Sequence, residues 1–71
     1  MIKSIALFKY ADGRGEFIAH TDEGKVIKRT ATSFARLIAR TPQEVRDALK
    51  QMELVKTRET DKVRGEWYER G

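Results

Sequence analysis

The apolar period of this chain changes twice, and that alone confines it to a mixed architecture. From residue 2 to residue 10 the period is two. Ile2, Ser4, Ala6, Phe8 and Tyr10 fall on one face, and Lys3, Ile5, Leu7 and Lys9 on the other. Alternation of branched and aromatic residues is the signature of a strand. Residues 16–21 and 25–29 continue it as two more strands. Turn chemistry separates them at Ala11-Asp12-Gly13-Arg14-Gly15 and at Asp22-Glu23-Gly24, because Asp and Gly tolerate positive φ. Residues 2–30 are therefore expected to form an antiparallel β-meander.

At residue 33 the period becomes helical. Phe34, Leu37 and Ile38 are spaced i, i+3, i+4, with Thr32 or Ser33 as the N-cap of a short helix over 33–39. Thr41-Pro42-Gln43-Glu44 reads as a second helix start, with a capping threonine, proline at the first helical position and glutamate three residues after the cap. Val45, Ala48, Leu49 and Met52 form the buried stripe of that helix, and Gln43, Arg46, Asp47 and Lys50 face outward. After Met52 the period returns to two. Residues 54–58 and 64–69 pair as a hairpin with 59–63 at its tip. The fold class expected is α+β in one small domain: a meander over 2–30, a helix pair over 32–52 and a C-terminal β-hairpin over 54–70.

Size and composition narrow the function. A chain of 71 residues buries only about 60% of its unfolded surface, so its core is small and a partner subunit is one remedy. There is no cysteine and only one histidine, His20. No disulfide, thiolate site or histidine pair can form, and no metal or cofactor is expected. The longest apolar run is Ile5-Ala6-Leu7-Phe8, so neither a membrane span nor a signal-peptide core is expected, and the expected compartment is the cytoplasm. Ser4 and Ser33 are the only serines, and no glycine-rich phosphate loop follows a strand. A binding protein is expected in preference to an enzyme, with no catalytic residues and no small-molecule substrate.

The spacing of the helical segment carries a more specific signal. Helices crossing steeply at a tight turn need small side chains at closest approach, and Phe34-Ala35, Ile38-Ala39, Val45 and Ala48 supply apolar and small residues at such spacings. Two short helices followed by a basic hairpin resemble the winged helix-turn-helix DNA-binding proteins, the bacterial and phage regulators, over residues 32–70. Arg40 stands where that pattern usually has an apolar residue, Ala39 where it has glycine, and strands precede the pair in place of a helix. The core must then be completed by the N-terminal sheet or by a second subunit.

The resemblance implies a small sequence-specific protein of double-stranded DNA, a transcriptional or recombination accessory regulator acting as a homodimer. By position, Thr41, Gln43, Arg46, Asp47 and Lys50 would face the major groove, Gln43 reading adenine and Arg46 guanine. Lys56, Arg58, Lys62 and Arg64 on the wing would meet phosphate or the minor groove, and Arg36 and Arg40 would hold the backbone beside the turn. Charge agrees in part. The net charge is +4, and residues 25–43 contain Lys25, Lys28, Arg29, Arg36 and Arg40 without one acidic residue. Seven carboxylates from Glu44 to Glu69 dilute the remainder.

Other readings stay open beside this one. Arg46 and Lys50 can simply solvate a helix face. Trp67 and Tyr68 alternate across the last strand, and tryptophan in so small a domain is expected in the core. Phe8, Tyr10 and Phe17 either form a stacking surface for single-stranded nucleic acid or cover the helices, the second being the stronger expectation. The alternative functions are a small basic interaction module, an inhibitor or adaptor docking a host enzyme through a sheet edge, and a single-strand or RNA binder using the sheet.

Overall fold

A computed structural model describes residues 1–70. Its elements are β1 (Ile2–Tyr10), β2 (Gly15–Thr21), β3 (Val26–Ala31), α1 (Phe34–Arg40), α2 (Gln43–Lys50), β4 (Met52–Glu59) and β5 (Val63–Arg70). The class is α+β, with antiparallel strands, two helices and a C-terminal strand pair. The meander and the hairpin are one sheet: β5 pairs antiparallel with β1, giving the order β3-β2-β1-β5-β4. The hairpin expected to project as a wing is thus the other half of the sheet, because both edges of β1 accept a partner.

Two irregularities decide which side chains share a face. Plain alternation places Ile2 with Phe8 and Tyr10. The register shift between Ile2 and Ser4 instead turns Ile2 to the side of Ile5, where it is buried. A second shift between Leu54 and Lys56 leaves Val55 as an extra residue. Leu54, opposite Tyr68, therefore points to one side, while Lys56, opposite Trp67, points to the other. Such bulges insert one residue and reverse the alternation beyond it.

Both helices lie on one side of the sheet, α1 over β2 and β3 and α2 over β1. The core is the layer between them: Ile2, Ile5, Phe17, Ala19, Ala31, Leu37 and Val45 are all buried. Gly15 lets α1 approach β2, since a Cβ there would lie 3.1 Å from Leu37 Cδ2 and 3.3 Å from the Phe34 Cα. Seven or eight residues cannot hold a helix in water unaided, so this packing is what forms them.

Helix starts and stops differ in two respects from the reading of the sequence: how α2 begins, and where it ends, since α2 stops at Lys50 and Met52, expected on its buried stripe, opens β4. Ser33 caps α1 as expected, its hydroxyl accepting from the Arg36 N–H at 3.2 Å. Thr41 does not cap α2. It is the C-cap of α1, and its hydroxyl donates to the Leu37 carbonyl at 2.7 Å. Pro42 is the N-cap of α2, with no side-chain cap bond. The capping box fails because a two-residue connection makes Thr41 belong to the helix it ends. No helix among the described residues is long and apolar enough to cross a membrane.

Candidate nucleic-acid interface

The side of the sheet away from the helices has no cover, and pairing register maps it row by row. One row runs Lys28, Ile18, Ala6, Trp67, Lys56 from β3 to β4. The next runs Thr30, Glu16, Phe8, Gly65, Arg58. Five strands at the usual spacing put the two edge lysines about 19 Å apart. Between them lies an apolar floor. The rings of Phe8 and Trp67 meet edge to face, centroids 5.5 Å apart at 90°. Lys56 Nζ stands 5.2 Å from the Trp67 ring centroid, within cation–π range. Depressions of about 300 Å³, bounded by Phe8, Arg58, Val63 and Trp67, and about 280 Å³, bounded by Ala6, Ile18, His20 and Trp67, lie on either side of the indole.

Gly65 makes this arrangement possible. A Cβ at Gly65 would lie 2.7 Å from Trp67 Cη2 and 2.8 Å from Cζ3. Only glycine leaves the sheet surface open enough for the indole to lie along it. Trp67, expected in the core, is instead half-buried on the uncovered face, and Phe8 and Tyr10 share that face, while Phe17 packs under the helices. The signal that could have found the site is Gly65-Glu66-Trp67 itself: glycine two residues before tryptophan on a strand is room for a ring on the same face.

Charge on this face is graded. Tyr10 carries the Arg14 guanidinium 4.7 Å from its ring centroid. Asp12 holds that guanidinium at 2.8 Å, and the backbone N–H of Arg14, above all, keeps the Asp12 carboxyl below its ordinary value. Glu16 is the one carboxylate inside the basic zone, and Lys28 neutralises it at 3.6 Å. At the opposite end Glu53 and Glu69 stand directly across from one another. A polyanion is therefore favoured near Phe8, Lys28, Lys56 and Arg58 and repelled beyond Ser4.

The residues marked from the sequence divide between two sides. Gln43, Arg46, Asp47 and Lys50 are exposed on α2, and Arg36 and Arg40 on α1. Gln43 Nε2 donates to Asp47 at 2.7 Å, and Arg46 donates to Gln43 Oε1 at 2.8 Å. Lys56 and Arg58 are on the uncovered face, and Lys62 lies in the β4–β5 turn. Arg64 faces the helix side, opposite Lys9, and pairs with Glu66 at 3.5 Å. Thr41 is half-buried and occupied with Leu37. No single flat contact can gather Arg46 with Lys56 and Arg58. No group of three or more His, Asp or Glu residues with metal-binding proximity exists among the described residues.

One titration follows from the helix side. Burial, and then the charge of Glu66, raise the Tyr68 phenol above its ordinary 10.0. The folded state thus holds this proton more tightly than the unfolded chain, so its stabilising contribution is full below pH 10 and is lost as the pH rises past it. Tyr68→Phe should flatten the fall in urea midpoint between about pH 9 and 11. An unchanged fall would show that another group causes it.

Comparison with protein-family models, with curated proteins and with solved structures finds no match for this chain.

Proposed function

We propose that this protein binds single-stranded nucleic acid across the helix-free face of its sheet. The observation that carries this reading is the Phe8–Trp67 pair lying open on that face with Lys28, Lys56 and Arg58 around it. Bases have π-faces of every sequence, and stacking one on an aromatic side chain contributes about 1–3 kcal/mol. Cations beside such a platform neutralise phosphate and release counterions. The face offers no array of backbone donors for base edges, so binding should be tolerant of sequence. The setting proposed with this reading is the cytoplasm.

The test is a titration of fluorescein-labelled oligo-dT and of a duplex of equal length into the protein, at several salt concentrations. The single strand should bind more tightly and quench Trp67. Three phosphates neutralised give a slope of log K against log salt of about −2, and Lys56→Gln or Arg58→Gln should each reduce it by about 0.7. Binding without any change in Trp67 emission, or a slope unaltered by both variants, would overturn the reading.

A second reading is duplex binding in the manner of a winged helix-turn-helix regulator, and the exposed Gln43–Arg46–Asp47 edge of α2 favours it. It would use α2 with Arg36 and Arg40, without Lys56 and Arg58. Preference for the duplex in the same titration, lost in Arg46→Ala with Trp67 emission unmoved, would select it.

A further inference from the structure

A concavity lies on the helix side, where the helices stop short of the sheet's far edge. It holds about 460 Å³ between α2 and β5. Its floor is apolar, with Leu7, Phe17, Phe34, Val45 and Leu49, and Tyr68 forms the opposite wall. Ile38, which lines it, is open to solvent at 48% exposure, and Leu54 on the neighbouring edge strand is 50% exposed. Leu54 stands opposite Tyr68 on the helix side of the sheet.

Lys9, Arg46 and Lys50 rim the groove, against one carboxylate, Glu66. Glu66 is already paired with Arg64. None of the three rim cations has a carboxylate within ion-pair distance among the described residues. Lys9 lies on the Phe34 ring, 4.3 Å from its centroid, and Arg46 donates only to the neutral Gln43.

We propose that this groove docks an acidic amphipathic helix of a partner protein. The floor selects apolar side chains at i, i+3 or i+4 and i+7, the pattern of helix-in-groove recognition. The rim selects carboxylates beside that stripe. A helix laid there would also extend the helical layer across β5 and β4, which α1 and α2 leave bare. A second copy of this chain is a poor occupant. A two-fold contact would set Lys9, Arg46 and Lys50 against the same three cations. A nucleic-acid strand finds little to stack on here, because Phe17 is fully buried and Lys9 covers the Phe34 ring. The proposal is independent of the aromatic face, which lies across the sheet.

The experiment uses the full chain, labelled with ¹⁵N, and a synthetic helical peptide with a leucine stripe flanked by glutamates. The control is the same peptide with lysine in place of glutamate. The glutamate peptide should shift the amides of Ile38, Leu49 and Tyr68 and leave those of Ala6 and Trp67 in place. The double variant Arg46→Glu/Lys50→Glu should weaken the glutamate peptide roughly tenfold and strengthen the lysine one. Ile38→Asp, at a half-exposed position, should abolish binding while the far-UV circular dichroism stays as in the wild type. Equal affinity for the two peptides, no binding of either, or shifts confined to the aromatic face would overturn the proposal. So would a dimer in sedimentation that Ile38→Asp dissociates, since the occupant would then be a second copy.

Discussion

Phe17→Ala should leave the protein at the limit of folding. Phe17 is fully buried at the middle of β2, between Leu7 and Arg29 in register and beneath the helices. Truncating a buried phenylalanine to alanine costs about 3–5 kcal/mol, because transfer energy is lost and the cavity is filled only in part. At about 0.05–0.15 kcal/mol per residue, a chain of 71 residues has about 4–11 kcal/mol in all. The cost is thus about a quarter of the total at least, and at the low end of stability it can be all of it. With an m-value of about 1 kcal/mol/M in urea, the midpoint should fall by about 3 M or the transition should vanish. A shift of only a few tenths of a molar would mean that the helices do not seal β2 as described.

Trp67→Ala should weaken single-strand binding by about 5- to 150-fold, the range that corresponds to one stacked base. The indole is half-buried and belongs to the uncovered face, so its loss removes platform more than core. Trp67→Phe separates the two roles. It keeps a ring over Gly65 and should recover most of the affinity, whereas for a purely structural tryptophan thermal midpoint and affinity would fall together in both variants. Undiminished affinity in Trp67→Ala, at a midpoint showing the protein folded, would remove the stacking claim.

Much of this architecture was legible because local pattern and final structure agree. The switch of apolar period at Ser33 marks the start of the helices, and Ser33 caps the first of them; the return to period two comes at Met52, earlier than expected, because that residue belongs to β4 and not to α2. What the pattern could not hold is pairing between distant segments. Nothing near Val63–Arg70 announces that this strand lies beside Ile2–Tyr10, and that pairing turns a wing into half of a sheet. Bulges were equally hidden. Alternation alone puts Leu54 with Lys56 and Arg58, but the extra residue Val55 separates Leu54 from the two cations. Thr41 misled for a different reason: its hydroxyl had two orphan backbone groups to choose between, and it satisfies the carbonyl end of α1 in place of the amide end of α2. Of the candidate site, the cations were visible as charges. The platform they surround was not, because tryptophan in a small protein ordinarily means interior.

The pairing of β5 with β1 carries a consequence for how the chain comes into being. During synthesis the ribosome delivers the first strand well before its second neighbour, with residues 11–62 made in between. Until then one rim of β1 has unmatched amides, and β4 has no strand to lie against. Assembly is therefore closed only when β5 is made, and a message cut short before residue 63 would yield a product in which nothing joins β4 to β1.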